Sequence, residues 1–234
     1  MTAMRYHIVT LGCAKNVADS ERIGRVLGDG AHVAVGAPAS ADVIIVNTCG
    51  FIDAAKEESV NTILELASGK QRGQKLVVAG CLTAIHGEEL RGEVPEIDAV
   101  FGAEDWTGIG GYLRTMEPVR LEPPPFDIPT TSPPGPLSVA RQGGVRRPSA
   151  YLKISDGCNA PCTFCIIPKM KGKLHSTPAD EIIAEARRLA DEGVREIVLV
   201  AQDSTDYGRD LGMRDALPEL LERLSAEVPE VPWL

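Results

Sequence analysis

Short apolar runs alternate with amphipathic stretches over the first 113 residues. This is the pattern of a parallel α/β sheet whose strands are each followed by a covering helix. Residues 6–11 read as a strand, 18–27 as a helix, 32–35 as a short strand and 42–47, Asp-Val-Ile-Ile-Val-Asn, as a buried central strand. The helix after it is the best marked. Asp53 is the expected N-cap, Val60, Ile63, Leu64 and Ala67 share one face, and Gly69 closes the C-terminus. Residues 76–79 and 99–101 give two further strands.

The alternation resumes after residue 150 with a strand at 151–154, a cysteine-bearing loop, and a helix opened by Thr177 as N-cap and Pro178 at its first position. Ile182, Ile183, Ala186, Leu189 and Ala190 form that helix's apolar face, and Gly193 ends it. A strand at 196–201, a helix at 215–224 and the opening of a third strand at 231–234 follow. With that strand only begun, the chain reads as incomplete. Nine of the 17 prolines lie between Pro118 and Pro148. Proline fixes φ and removes a backbone donor, so 114–150 reads as a proline-rich linker between a domain at 1–113 and an incomplete one at 151–234.

Composition narrows the class of protein. At 44% hydrophobic and 24% charged over 234 residues, the chain suits a folded α/β protein rather than a disordered or fibrous one. It contains no apolar run of about 18 residues, and its N-terminus lacks the pattern of a signal peptide, so the expected location is the cytoplasm, without membrane association. The net charge of -9 divides as -6 over 1–113, +2 over 114–150 and -5 over 151–234. Acidic flanks suit a basic protein partner better than a polyphosphate chain, so direct nucleic-acid binding is not expected.

Six cysteines in a reducing compartment point to metal ligation or thiol chemistry rather than disulfides. Cys158, Cys162 and Cys165 form C-x3-C-x2-C between a strand and a helix. Three thiolates on one loop can hold three irons of a four-iron cluster and leave the fourth open to an exogenous ligand. The alternative is zinc, which asks for four ligands in paired spacing, and no fourth cysteine or histidine follows nearby. Cys13, Cys49 and Cys81 are far apart in sequence, but each directly follows a predicted strand. In a parallel sheet all such ends lie along one edge, where ligands bind. Spacing alone leaves two readings open, a second three-thiolate site or three separate small buried residues. The histidines His7, His32, His86 and His175 share no ligand spacing, and Gly108-Ile109-Gly110-Gly111 is not a dinucleotide fingerprint, because no strand leads into it.

The loop from Gly157 to Cys165, with Phe164 just before its last cysteine, resembles the cluster loop of radical S-adenosylmethionine (SAM) enzymes. Together with Leu11-Gly-Cys-Ala-Lys-Asn16, Asp19-Ser-Glu21 and the stretch Val46-Asn-Thr-Cys-Gly-Phe-Ile-Asp-Ala-Ala-Lys-Glu-Glu-Ser59, it makes nearly the whole chain similar to the methylthiotransferases. Lys15-Asn16, the Gly50-Phe51-Ile52 after the second cysteine and Ile166-Ile167-Pro168 resemble the branch that modifies a ribosomal protein.

The resemblance implies a flavodoxin-like parallel-sheet N-terminal domain followed by the first units of a radical-SAM partial (β/α) barrel. It implies two 4Fe-4S clusters. One, on Cys13, Cys49 and Cys81, would bind or deliver sulfur; the other, on Cys158, Cys162 and Cys165, would bind SAM and cleave it reductively to a 5'-deoxyadenosyl radical. The implied substrate is an aspartate β-carbon on the twelfth small-subunit ribosomal protein, with a flavodoxin or ferredoxin as electron donor. Phe164 and Gln202 are the further cofactor-binding residues implied, although Gln202 and Asp203 also suit plain capping of the next helix. The chain departs from the family at Lys171 and Thr177, where arginines are usual, losing a planar fork and a charge respectively. Two other readings remain at this stage, a tRNA adenosine methylthiotransferase and a non-catalytic iron-sulfur or zinc-binding protein.

Overall fold

The computed structural model describes residues 3–103, 105–116 and 148–234. Most of the expected linker, 117–147, lies outside the described residues. The described residues fall into two compact units, one on each side of it.

The first unit is a five-stranded, wholly parallel sheet in the order β2-β1-β3-β4-β5. Its strands are β1 (Arg5–Thr10), β2 (Val33–Ala34), β3 (Val43–Thr48), β4 (Lys75–Gly80) and β5 (Ala99–Val100). Four helices cover it: α1 (Ala14–Asp29), α2 (Asp53–Ser68), α3 (Thr83–Glu93) and α4 (Trp106–Thr115). Successive side chains of a strand point to opposite faces, and both faces here are apolar. Val43 and Ile45 of β3 pack with Ile23 and Leu27 of α1 and Ile109 and Leu113 of α4. Ile44 and Val46 pack with Ile63 of α2 and Leu90 of α3 on the other side. The strand order and the two helical layers are those expected of a flavodoxin-like sheet.

The second unit pairs β6 (Ser149–Lys153) in parallel with β9 (Glu196–Val200). Between them run β7 (Ser155–Asp156), α5 (Ile167–Lys171), β8 (His175–Ser176) and α6 (Ala179–Asp191), with α7 (Ala216–Glu227) after β9. Leu152, Ile154, Ile182, Ile183, Ile197, Leu220 and Leu224 form its core. Trp233 makes a parallel bridge to Glu196 beside β9, where the third strand was expected to open. This strand-helix-strand unit is the repeating element of a (β/α) barrel. Among the described residues no helix is long and apolar enough to cross a membrane.

Three local expectations change. Helix α1 starts at Ala14, four residues before the apolar pattern does, because its buried first turns carry polar side chains, Asn16, Asp19 and Ser20, which apolar periodicity does not register. Asp53 is the first helical residue of α2, not its cap: Ile52 holds the cap position, and Asp53 pairs instead with Lys56 at 2.9 Å. Thr177 does not cap α6. Pro178 occupies that position, and the Thr177 amide donates to Ile154 O at 2.9 Å, which spends it on the end of β6.

Candidate cluster sites

Strands β1, β3 and β4 are neighbours, so their C-terminal ends lie side by side, and a cysteine stands just beyond each. Cys13 is the N-cap residue of α1, its carbonyl accepting from the amides of Asn16 and Val17 at 2.9 and 3.2 Å. Cys49 follows β3, and Cys81 follows β4. Cys13 is exposed, whereas Cys49 and Cys81 are buried.

Glycines beside these cysteines let the three loops close on one another. Gly12 has φ +95°, and a Cβ placed on it would lie 2.5 Å from Cys49 Cβ and 2.9 Å from Cys49 Sγ. A Cβ on Gly50 would lie 2.8 Å from Leu82 Cα and 3.2 Å from the carbonyl carbon of Cys81. Thus the first cysteine loop touches the second, and the second touches the third. Any side chain at either glycine would force them apart.

Hydrogen bonds fix the same junction. The buried Ser59 hydroxyl on α2 donates to Cys49 O at 2.9 Å and accepts from the Cys49 amide at 3.1 Å. Thr48 O accepts from Cys81 N–H at 3.0 Å and from Asn16 Nδ2 at 2.8 Å. Cys13 Sγ donates to Asn16 Oδ1 at 3.6 Å. All six cysteines are free thiols, so no disulfide competes for them. Among the described residues no three His, Cys, Asp or Glu side chains converge closely enough to hold a single metal ion. A four-iron cluster makes a different demand, because each thiolate binds its own iron and the sulfurs stand apart. Three free thiols on one closed strand edge, the first at a helix N-terminus that favours bound negative charge, fit such a group.

In the second unit, Cys158, Cys162 and Cys165 lie on the loop between the β7 strand and α5. The loop is held at its ends. Gly157 has φ +68°, and a Cβ there would fall 2.0 Å from Lys173 O, so only glycine fits. Cys158 N–H donates to Gly172 O at 3.2 Å, Leu174 N–H to Asn159 Oδ1 at 3.0 Å and Cys165 N–H to Cys162 O at 3.1 Å. The Ala160 amide donates to Cys158 Sγ at 3.4 Å. Asp156, just before the loop, accepts from the Gly157 amide at 3.1 Å and pairs with the buried Lys153, with Lys171 Nζ 3.8 Å away. Lys171 is thus a buried, ion-paired residue, only 2% exposed. Sequence reasoning missed this grouping. Its only visible sign was a lysine and an aspartate three residues apart at the end of a strand.

Phe164 is 92% exposed. Gln202 is half-buried, two residues past β9. Because β6 and β9 are parallel neighbours, with Ile154 N–H donating to Val200 O at 3.0 Å, Gln202 leaves the sheet at the same edge as the cysteine loop. Asp203 has a structural task, accepting from Thr205 N–H and Oγ1 at 3.0 and 2.6 Å, which together hold its carboxyl below the usual carboxylate range.

Each of the two α/β units carries three cysteines at or near the C-terminal edge of its parallel strands, the placement expected of ligand-binding sites in this class of fold. Comparison with known proteins places the chain further. Residues 5–102 match the model of "Uncharacterized protein family UPF0004", and residues 152–231 that of the radical SAM superfamily. The chain is 47% identical to the ribosomal protein uS12 methylthiotransferase RimO of Chloroflexus aurantiacus, over 99% of this chain and 53% of that protein. It is 44% identical to the RimO of Aquifex aeolicus, over 99% of this chain and 48% of that one. Among solved structures, the radical SAM methyltransferase TsrM of Kitasatospora setae, with cobalamin and a [4Fe-4S] cluster bound, shares the fold. It has a TM-score of 0.64 at 12% identity, covering 99% of this chain and 53% of that one. Over nearly its whole length the chain is similar to the RimO-type methylthiotransferases, and it spans about half the length of the curated relatives it matches.

Proposed function

We propose that this chain carries the two cofactor-bearing regions of an enzyme that installs a methylthio group on an aspartate β-carbon of ribosomal protein uS12. The observation that carries this reading is the closure of three strand-end cysteine loops through Gly12 and Gly50 in the first unit, alongside a C-x3-C-x2-C loop in the second. A radical enzyme that only cleaved SAM would need the second group alone. When bound, the cofactors would supply the radical chemistry that activates a C–H bond, the sulfur to be inserted and the methyl group.

The chain's own residues hold these groups. Cys158, Cys162 and Cys165 ligate the cluster that binds SAM, and Gly157 and Asp156 fix the loop's entry. Gln202 meets the amino acid portion of SAM from the same sheet edge, and the exposed Phe164 covers the cluster once cofactor is bound. Cys13, Cys49 and Cys81 ligate the second cluster, where two buried positions limit access of water. Residues 1–113 form the sulfur-handling domain, 114–150 the linker and 151–234 the opening of the radical domain. The electron donor is a small one-electron carrier such as a flavodoxin or ferredoxin. The acidic flanks favour a basic protein substrate over RNA.

Mass analysis of uS12 and of tRNA from cells lacking the gene tests the reading. Loss of the methylthio group from uS12, with tRNA unchanged, is expected. Loss of methylthioadenosine from tRNA, with uS12 intact, would overturn it.

A further inference from the structure

Asn16 bonds to the first two cysteine loops of the first unit and, through a carbonyl it shares with the Cys81 amide, is linked to the third. Its side chain is 99% buried, although it is polar and only three residues from an exposed cysteine. Its Oδ1 accepts from Cys13 Sγ at 3.6 Å, and its Nδ2 donates to the carbonyl of Thr48, the residue before Cys49, at 2.8 Å. That same carbonyl accepts the amide of Cys81 at 3.0 Å. One side-chain amide therefore joins the first sulfur to the backbone that carries the other two. The backbone carbonyl of Asn16 is in turn held by Asn47 Nδ2 at 2.9 Å, and Asn47 also donates to Ser20 Oγ at 2.9 Å.

We propose that Asn16 is a positioning residue for the cluster on Cys13, Cys49 and Cys81, setting Cys13 against the other two loops and influencing the cluster's reduction potential through its contact with the Cys13 sulfur. The inference rests on the two-cluster reading above. A carboxamide is suited to this place because it has both an acceptor and a donor. Its oxygen accepts from the thiol, and once that hydrogen is gone a turn of the carboxamide presents an N–H to the thiolate, exchanging its bond to Thr48 O for one to the ligand sulfur. Hydrogen bonds to ligand sulfurs are among the factors that set cluster potentials. An aspartate of the same shape has no such donor and would bring a negative charge to the ligand; an alanine would leave the Thr48 carbonyl one donor short.

The test uses the 234-residue chain with Cys158, Cys162 and Cys165 all replaced by alanine, so that only the first site can bind iron. Asn16→Asp and Asn16→Ala are made in this background, with Ser20→Ala as the structural control. Ser20 lies in the same buried network, accepting from Thr10 Oγ1 at 2.8 Å and from Asn47, without touching a cysteine. Iron per chain, thermal unfolding of the iron-free protein and an EPR-monitored redox titration are measured. Both Asn16 variants are expected either to lose the cluster or to hold it at a more negative potential. The expected change in the reduced-to-oxidised ratio is at least tenfold, about 59 mV for a one-electron couple. Ser20→Ala is expected to lower thermal stability while keeping iron and potential. The inference is overturned if the Asn16 variants match the background in iron and potential, or if Ser20→Ala shifts them equally. If the background chain itself binds no iron, the two-cluster reading falls and the inference with it.

Discussion

Gly12 and Cys49 pack so closely that a single added methyl group on the glycine would overlap the cysteine side chain, at 2.5 Å from its Cβ and 2.9 Å from its sulfur. The two residues belong to different strand-end loops. Their contact brings the loops that carry Cys13 and Cys49 together although the two cysteines are far apart in sequence. Gly12→Ala combines that overlap with a φ of +95°, which L side chains rarely adopt. The expected result is a loss of about 1–3 kcal/mol in urea unfolding of the iron-free chain. After reconstitution, iron is expected to be lost from the first site only. Normal iron at that site would show that the loops do not need their close approach.

Asp156 is shared by two buried lysines at the entry to the second cysteine loop. Removing one partner from a buried ionic group costs far more than an exposed pair is worth, about 3–5 kcal/mol, because charge remains where water cannot reach it. Asp156→Ala is therefore expected to destabilise the second unit by several kcal/mol and loosen the loop, which chemical denaturation and protease sensitivity near Gly157 would reveal. Lys171→Met removes charge and refills the space, so its cost should be smaller. Equal costs would contradict the assignment of Asp156 as the shared partner.

Tyr207 donates from its buried hydroxyl to Thr177 O at 2.9 Å. Burial, reinforced by the negative charge of Asp210, pushes its phenol up to about 12. An unfolded tyrosine ionises near about 10. The folded state thus favours the neutral form, so this contribution is fully present below pH about 10 and is lost as pH rises from there through about 12. Unfolding free energies of the native chain should fall across that window more steeply than those of Tyr207→Phe. At neutral pH the same substitution should cost about 1 kcal/mol for the lost hydrogen bond. Identical alkaline slopes would contradict the account.

Legibility in the sequence followed the apolar pattern. The runs at Val43–Thr48 and Lys75–Gly80 announce buried parallel strands because both faces of the sheet are covered, and the cysteines beyond them could be placed by topology alone. Helices α3 and α4 escaped notice. The first is weakly amphipathic and kinked at His86, and the second carries three glycines, which lower helix propensity. The start of α1 was hidden because its first buried residues, Asn16, Asp19 and Ser20, are polar, and apolar periodicity does not register them. Asp53 and Thr177 have cap-forming side chains but sit one residue away from where they would act as caps, a shift that propensity does not resolve. The network joining Asn16, Thr48 and Cys81 depends on the register of β3 against β4, which no local pattern specifies.

The most direct test of the account is iron and acid-labile sulfide per chain after anaerobic reconstitution. It is to be measured for the native chain, for Cys13, Cys49 and Cys81 replaced together by alanine, and for Cys158, Cys162 and Cys165 replaced together. Two independent four-iron sites predict about eight irons in the first and about four in each of the others. About four irons in the native chain, unchanged when Cys13, Cys49 and Cys81 are removed, would show that the first group holds no cluster and would contradict the two-cluster account.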